Sequence, residues 1–543
     1  MSNKAVSRPT SRNLVQEAPS RPPVHAPRAS GSIPIGRQLF ILACAAVTLG
    51  ALAMILRAGH PLQAYLVNSD AFYLPVLFDD LLARGGRLAD WYLTPAPYFF
   101  PDFPLYLLAW LLGADVFQQV AAFALLQVVA TGAALFLLAR QILEHDRLPA
   151  AAALSILFVW LGLHAGDPFV RLFSSAHHYG AFVAALLLVA LWLQRDAGPN
   201  GKPDRRLDAA VAILVFLSTL SDALFLVQAV LPLAAAALLC RQERFGGAAR
   251  RAFAQLLAPA LAAMISYRFL VAHPTRYKTR IGFGQFGAHF DEMSAMGSAL
   301  FGPRPLLAAA LLLVLFAGAA CIALLLRGRL PARVPRPVAL LLAFATLSCA
   351  ATVGVMLLST NVQPVPRYLI AALSWPLVAG LFGLSWLLRR HFRHAALGLA
   401  VGCTVLLAAE AWQVKDVRNA QSYYYPQQIA CIDRALAAAG ARHGIAQYWD
   451  AKLLQGLSRN RLTLAQHFAT LEPMQWITSE RFFATRYDFA IIAEREVPEF
   501  RLPRARLLAL NGEPAQVVHC GDRTVLLYGA GGLRVAPDMA APR

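Results

Sequence analysis

The stretch Leu39–Leu56 (LFILACAAVTLGALAMIL) decides the fold class of this chain. It carries no charge, and as an α-helix it is long enough to cross a roughly 30 Å hydrocarbon core. Inside lipid the backbone must satisfy its own hydrogen bonds, so a membrane helix is the favoured structure for such a stretch. The sequence therefore predicts an integral membrane protein and excludes a soluble enzyme.

Ten similar apolar stretches follow along the chain. Together the eleven lie at 39–56, 116–138, 150–164, 181–194, 209–221, 223–239, 252–271, 306–326, 338–358, 369–388 and 395–412. Of the 543 residues 58% are hydrophobic and 15% are charged, which is typical of a multi-pass membrane protein. The predicted fold class is thus an all-α polytopic membrane protein of about 11 transmembrane helices, with a small C-terminal extracytoplasmic α/β domain.

Basic residues are concentrated in alternate connections between these stretches. They are Arg140, Arg147, Arg195, Lys202, Arg205, Arg206, Arg241, Arg244, Arg250, Arg251, Arg327, Arg329, Arg333, Arg336, Arg389, Arg390 and Arg393. Such a bias marks the cytoplasmic side, so the net charge of +19 indicates membrane orientation, and no nucleic-acid partner is predicted. The expected location is the inner membrane of a bacterium, with the N-terminus in the cytoplasm. The charge pattern fits only if both stretches beside Ser221 and Asp222 cross.

Three regions are predicted. Residues 1–37 form a disordered, basic cytoplasmic tail, 38–413 form the transmembrane domain with an acidic outer loop at 59–104, and 414–543 form a periplasmic α/β domain. In the last region we expect a helix at 425–439, short strands between helices at 444–448, 462–466 and 489–493, and a hairpin of 516–520 with 523–528 around Gly521-Asp522. The alternative for this domain is that it only caps the outer face.

Two of the seven cysteines, Cys431 and Cys520, fall in the predicted external domain. In an oxidising compartment they are disulfide candidates. The other five lie in or beside apolar stretches, where a thiol usually serves as a small apolar filler.

The outer loop holds five aspartates against two arginines. A carboxylate just outside the first span is well placed as a general base or metal ligand at the membrane surface, and Asp70 is the first choice. Phe72, Tyr73 and Pro75 could form an apolar wall that raises its basicity, whereas the alternative is a solvated carboxylate or a helix N-cap. Asp79 and Asp80, on a predicted helix over 73–83, are secondary candidates that we expect to be solvated.

The order of these features resembles the GT-C glycosyltransferases. One span, an acidic outer loop, the segment 103–108 (FPLYLL) lying along the membrane, and a second span ending at 137–140 (LLAR) carry the resemblance. It implies a polyprenyl-phosphate sugar donor, a reaction on the outer face and an early loop aspartate as catalytic base, a role that falls here to Asp70. The sequence Arg367-Tyr368 resembles a dipeptide often found in this superfamily at the start of a late span.

Several outer residues suit a phosphate. The connection 273–280 carries several cations although it lies on the predicted outer side, where Lys and Arg are usually depleted. Their presence there predicts an anionic partner. The predicted donor-phosphate ligands are Arg276, Lys278, Arg280 and Arg367, and further pocket candidates are Tyr73, His177, His178, Tyr277 and Tyr368. The alternative is contact with ordinary membrane lipid headgroups.

Metal and nucleotide sites are not predicted. Adjacent histidines such as 177 and 178 diverge, and no further ligands stand at metal-site spacing, although a divalent cation is left open as a cofactor. Gly282, Gly284 and Gly287 spell G-x-G-x-x-G but lie in an outer loop, where a glycine-rich lid is the better interpretation. Asp222 is predicted to cap a turn, with a proton relay as the alternative.

The predicted function is an inverting transfer of a hexose or pentose from a polyprenyl-phosphate donor to a glycan, lipid or protein acceptor on the periplasmic face. Two alternatives are kept. A flippase or transporter of a lipid-linked glycan predicts charges in a mid-membrane cavity and inverted halves. A non-catalytic membrane assembly protein predicts the same framework without the reaction.

Overall fold

The computed structural model describes residues 35–58, 63–196, 204–240, 245–274, 280–388, 392–414, 424–493 and 501–535. Nearly all of the predicted cytoplasmic tail therefore lies outside the described residues. The helices are α1 (Ile35–Arg57), α2 (Gln63–Leu66), α3 (Tyr73–Ala83), α4 (Asp102–Leu112), α5 (Val116–Ile142), α6 (Arg147–His164), α7 (Tyr179–Asp196), α8 (Arg205–Ser221), α9 (Leu231–Cys240), α10 (Phe245–Ala252), α11 (Ala258–Leu270), α12 (Phe286–Phe301), α13 (Pro305–Leu326), α14 (Arg336–Leu358), α15 (Ile370–Leu388), α16 (Phe392–Val414), α17 (Gln427–Ala438), α18 (Tyr448–Leu457) and α19 (Arg504–Asn511).

Each of the eleven predicted apolar stretches falls on a helix. Within the described residues, eight helical segments are long and apolar enough to cross a membrane. The apolar helical segments Tyr179–Arg195 and Leu226–Cys240 are shorter, and α8 has 17 residues. The chain is thus a multi-pass membrane protein, while the count of about eleven crossings stays a prediction.

The membrane helices pack through aromatic rings and small residues. Trp375 on α15 lies edge-on to Phe344 and Phe182, with ring centroids 4.6 and 5.4 Å apart. Gly318 on α13 approaches Thr346 on α14 so closely that an added Cβ would overlap its hydroxyl. Without a hydrophobic force between helices in lipid, such close packing supplies the association energy.

The outer loop is folded. It contains α2, α3, a 3-10 turn at Leu88–Asp90, strand β1 (Trp91–Tyr92) and the start of α4. Helix α3 has the predicted bounds of 73–83. Helix α4 has 11 residues and so is about 16 Å long, too short to cross a bilayer.

The C-terminal unit, which comprises the described residues from 424 to 535, contains a five-stranded sheet. The remaining strands are β2 (His443–Ala446), β3 (Thr463–Gln466), β4 (Thr478–Ser479), β5 (Phe489–Ala493), β6 (Gln516–Cys520) and β7 (Arg523–Leu527). The sheet order is β3-β2-β5-β7-β6, in which β3, β2 and β5 are parallel and β7 and β6 are antiparallel. The predicted hairpin and helix are present.

One predicted strand is too long. It ends at Ala446 rather than at residue 448, because the Gln447 side chain accepts a hydrogen bond from Trp449 N (2.7 Å) and thereby caps α18. Helix α18 agrees with the expectation that the strands lie between helices, although its bounds were not predicted. Helix α12, which follows the glycine-rich segment, was not predicted. In that segment Gly282 N donates to Leu358 O (2.8 Å) and Gly287 lies within α12, so the expected lid is tied to α14.

The outer loop and the C-terminal unit are joined directly. Strand β1 pairs antiparallel with β4, placing Trp91 opposite Ser479. The Arg84 side chain donates to Leu462 O (2.9 Å), and the Ser69 hydroxyl donates to Tyr448 O (2.6 Å). The loop that follows the first span is therefore covered by residues that come almost 400 positions later in the chain.

The structure joins Cys431 and Cys520 by a disulfide, with Cα atoms 5.7 Å apart. This is the pair singled out from the sequence. The bond ties α17 to the last residue of β6.

Candidate active site

Asp70 lies in a tight turn that opens α3. The Asn68 side-chain oxygen accepts from Ala71 N (2.9 Å), and Asn68 O accepts from Phe72 N (3.0 Å). Asp70 O accepts from Tyr73 N (3.2 Å), so the aspartate uses its backbone in the turn and its side chain remains free to point elsewhere. The predicted N-cap alternative does not apply, since no side-chain cap bond opens α3.

Two residues from distant parts of the chain meet the Asp70 carboxylate. Arg367 Nη1 lies 3.3 Å from Oδ2, and the Tyr448 hydroxyl donates to Oδ1. Arg367 belongs to the 3-10 turn Pro366–Leu369 that opens α15, and Tyr448 is the first residue of α18. The outer loop, a membrane helix and the C-terminal unit thus converge on one carboxylate.

Hydrogen bonds hold the backbone next to Arg367. Gln228 Nε2 donates to Tyr368 O (2.9 Å), and Gln228 O in turn accepts from Ser348 Oγ (2.5 Å). Arg367 Nε is buried without a hydrogen-bond partner among the described residues. Since a guanidinium has five N–H donors, capacity remains here for an anionic ligand.

The partners of Asp70 decide its charge. Burial raises the pKa of Asp70, but His177, the hydrogen bond from Tyr448 and the charges of Arg367 and Lys452 outweigh burial and hold the pKa below its usual range. Burial and the charge of Arg171 lower the pKa of His177 to about 3, so that ring is neutral at pH 7. At pH 7 the lowering of the Asp70 pKa therefore comes from Tyr448, Arg367 and Lys452. The expected rise in basicity from an apolar wall is wrong.

Sequence reasoning missed Tyr448 and Lys452. Lys452 is 4% exposed, its Nζ donates to Gln466 Oε1 (3.1 Å), and it lies 4.0 Å from the centre of the Tyr448 ring. Burial lowers the pKa of Lys452 to about 7, an effect that the Asp70 charge opposes. One signal could have found them: both residues follow the carboxyl end of a parallel strand, where α/β sheets commonly bind ligands.

A second cluster surrounds His178. His178 Nδ1 lies 2.6 Å from Asp222 Oδ2, and Nε2 lies 3.2 Å from the Tyr98 hydroxyl. The ring also contacts Tyr368, with centroids 5.2 Å apart. Asp222 Oδ1 accepts from Leu224 N (3.0 Å), which confirms the predicted turn cap, although the other carboxylate oxygen serves His178.

Asp102, the first residue of α4, is also buried, but its pKa is raised whereas that of Asp70 is lowered. Its Oδ1 accepts from Ala176 N (2.9 Å). Burial raises the pKa of Asp102 to about 7, the hydrogen bond from Ala176 opposes this, and the nearby charge of Asp222 raises it further. A protonated or partly protonated carboxyl thus lies on the same loop as Asp70.

The secondary candidates have structural partners. Asp80 is 1% exposed, so the prediction that it is solvated is wrong: Oδ2 accepts from Trp91 Nε1 (2.8 Å) and Oδ1 lies 3.4 Å from Arg481. Burial raises the pKa of Asp80, while Trp91 and Arg481 lower it. Asp79 pairs with Arg84 (2.6 Å), and the buried Tyr73 hydroxyl donates to Pro97 O (3.2 Å).

The outer cations are only partly described. Arg276, Tyr277 and Lys278 lie outside the described residues. Arg280 is exposed, its N donates to Asn361 Oδ1 (2.9 Å), and its carbonyl accepts from Thr360 N (2.8 Å). Of the four predicted phosphate ligands, the contacts described bring Arg367 to Asp70.

No cluster of three or more His, Cys, Asp or Glu residues that could hold a metal ion occurs in the described part of the chain. The acid–histidine contacts include Glu410 with His164 (3.3 Å) and Glu480 with His273 (3.5 Å). Around the Asp70 carboxylate the structure brings together a guanidinium, a phenol hydroxyl, a buried amine and an imidazole.

Comparison with known proteins gives the fold a class. No protein-family model matches the chain, and no curated protein sequence matches it. Among solved structures, it is similar to the crystal structure of ArnT from Cupriavidus metallidurans bound to undecaprenyl phosphate. The TM-score is 0.54 with 15% sequence identity, covering 94% of this chain and 100% of that chain.

The chain is thus a multi-pass membrane protein with the fold of the GT-C glycosyltransferases, as the sequence resemblance predicted. The particular protein whose fold it shares, ArnT, is a lipid A aminoarabinose transferase. At this identity the likeness concerns the fold.

Proposed function

We propose that this chain is a membrane glycosyltransferase that moves a sugar from a polyprenyl-phosphate donor to a glycan, lipid or protein acceptor on the periplasmic face. The observation that carries the proposal is the contact of Asp70 with Arg367 (3.3 Å) on a GT-C fold. A carboxylate and a guanidinium provide the two charges that the reaction needs, one for the acceptor proton and one for the departing phosphate.

In the proposed step Asp70 takes the proton of the acceptor hydroxyl, and the hydroxyl oxygen attacks the anomeric carbon of the hexose or pentose. The bond from that carbon to the phosphate oxygen breaks, and its electron pair leaves with the phosphate. Negative charge grows on the phosphate as this bond breaks, so a neighbouring Arg367 lowers the barrier. Attack opposite the phosphate inverts the anomeric configuration.

The state of Asp70 supports this role. Its pKa is held low, so it is ionised and able to accept a proton at neutral pH. A carboxylate offers about four lone-pair positions, so the contacts with Arg367 and Tyr448 leave room for an acceptor hydroxyl.

The test uses the full chain purified in detergent with a panel of undecaprenyl-phosphate monosaccharides, and a bacterial membrane extract as the source of acceptors. Mass spectrometry follows loss of the donor and release of undecaprenyl phosphate. We expect consumption of at least one donor by the wild type and none above background by Asp70→Asn, which keeps the shape and removes the base. Failure of the wild type to consume any donor contradicts the proposal.

A further inference from the structure

The C-terminal unit reaches into the candidate active site through one turn of α18. Tyr448 and Lys452 stand four positions apart, so they share one face of the helix. The Tyr448 hydroxyl donates to Asp70 Oδ1, and the Lys452 ammonium lies over the Tyr448 ring at 4.0 Å. The face of α18 that carries both polar groups is thus the face toward Asp70.

Helix α18 has anchors that use neither of these polar groups. The start of α18 is held by Gln447, whose Nε2 donates to Asp450 Oδ2 (3.0 Å). Asp450 also pairs with Arg523 (2.6 Å), and Arg523 donates to Gln428 (2.8 Å). These bonds lock α18 onto the sheet and α17 without using the hydroxyl of residue 448 or the amine of residue 452.

Burial of a lysine amine is costly and requires compensation. Lys452 is 4% exposed, and its described contacts are one amide oxygen of Gln466 and the Tyr448 ring. The opposite charge that acts on it is that of Asp70. A methionine would fill the same space without this cost, and Asp70 is the carboxylate whose charge favours the protonated amine.

We propose that Tyr448 and Lys452 are positioning residues that orient the Asp70 carboxylate for the transfer, so that the C-terminal unit completes the active site. This inference rests on the proposed function and adds to it that the external unit is more than a cap. Tyr448 fixes one carboxylate oxygen by a hydrogen bond, and Lys452 supports Tyr448 by contact with its ring.

The test compares Tyr448→Phe and Lys452→Met with the wild type in the donor-consumption assay. The matched control is Tyr425→Phe, which removes a tyrosine–carboxylate bond of the same unit, from Tyr425 to Asp433 (2.7 Å). Hydrogen bonds to charged groups predict a roughly 10- to 100-fold loss of kcat for Tyr448→Phe. We expect little change in the control.

The second readout is the pH profile of kcat/KM. Four groups face Asp70: Tyr448 and Lys452 from α18, Arg367 from the start of α15, and His177 from the loop before α7, which is itself faced by Arg171. Because Tyr448 and Lys452 lower the pKa of Asp70, removing either should move the acidic limb to higher pH. The position of this limb does not depend on how much of the protein is folded.

The outcomes separate the two proposals. If the wild type turns over donor, Asp70→Asn does not, and both variants keep the wild-type rate and acidic limb, the positioning role is overturned while the function stands. If the wild type consumes no donor, the function fails and this inference fails with it. A variant that no longer folds assigns its side chain to packing and overturns the role for that residue.

Discussion

Asp70 and Asp102 lie on the same outer loop, each beside the start of a helix, yet their surroundings have opposite effects. Asp70 meets Arg367 and Tyr448, and its pKa is held low despite burial. Asp102 accepts the backbone N–H of Ala176 and faces the charge of Asp222, and burial raises its pKa to about 7. The difference shows that burial alone does not assign an acid or a base, because the partners decide the charge.

This comparison also identifies a competitor for the role of base. A general base works best when its pKa is near the working pH, which fits Asp102 better than Asp70. Asp70 is preferred because it contacts Arg367, a cation suited to the departing phosphate, whereas Asp102 is bound to the backbone of Ala176. Exchange of either carboxyl, or of its partners, tests this assignment.

The largest effect should come from exchanging each carboxyl for its amide. Asp70→Asn should lower donor turnover by at least about 100-fold, since it removes the proton acceptor. Asp102→Asn should retain most of its activity at pH 7, because the amide resembles the protonated carboxyl in shape and charge. Initial rates of donor loss measure both, and an inactive Asp102→Asn with an active Asp70→Asn would transfer the role of base to Asp102.

A smaller loss is expected at the cation that distinguishes the two carboxyls. Arg367→Gln should raise the KM for the donor by roughly 10- to 100-fold, as expected for lost charged hydrogen bonds. Arg367→Lys should fall between this variant and the wild type, because it keeps the charge but not the planar fork. The control is Arg486→Gln, which alters an exposed contact with Gly531 in the C-terminal unit. An unchanged KM in Arg367→Gln would remove the proposed phosphate ligand.

Stability should reveal the unusual state of Asp102. Its pKa is about 7 in the folded protein and near 3.8 when unfolded, so the folded state disfavours the charged form. The contribution of Asp102 to the free energy of unfolding is therefore fully present below about pH 4. It is lost as the pH rises to about 7, where the loss amounts to a few kcal/mol at most. Thermal unfolding in detergent should show this decline in the wild type and a weaker one in Asp102→Asn. Parallel curves for the two proteins would contradict the raised pKa.

The smallest effect should come from the neighbour that raises the Asp102 pKa. Asp222→Asn removes a negative charge that raises the pKa of Asp102 in the folded protein, so the decline in stability should still begin near pH 4 but should end at a lower pH and be smaller. Because Asp222 also pairs with His178, His178→Asn serves as the control that breaks the pair and keeps the charge. The same shift in both variants would assign the effect to the lost pair instead.

Much of the fold was predictable because hydropathy is a local property. The eleven apolar stretches, helix α3 and strand β5 were located from residue pattern alone, as was the hairpin around Gly521-Asp522. Helix α12 was not predicted, and the start of α18 was placed wrongly. The segment of α12 had been assigned to an outer loop, and α18 begins inside a stretch that had been interpreted as a strand, where the Gln447 cap decides the boundary.

The site was predictable only in part. Sequence position marked Asp70 and Arg367, because a charge beside a membrane span requires an explanation. The sequence predicted a solvated Asp80. The structure buries it against Trp91, from another turn of the loop, and Arg481, from the C-terminal unit. The sequence pattern assigned no role to Tyr448 and Lys452.

The sequence by itself determined that this chain is a membrane protein, which segments are helical and which loop carries the acidic residues. Those properties follow from the solvent that each segment requires and from its own hydrogen bonds. Only the tertiary structure decided which carboxyl is paired with cations and which is left to gain a proton. That choice depends on contacts between residues hundreds of positions apart, and a carboxyl pKa responds to charges within a few ångströms in space, whatever their separation along the chain.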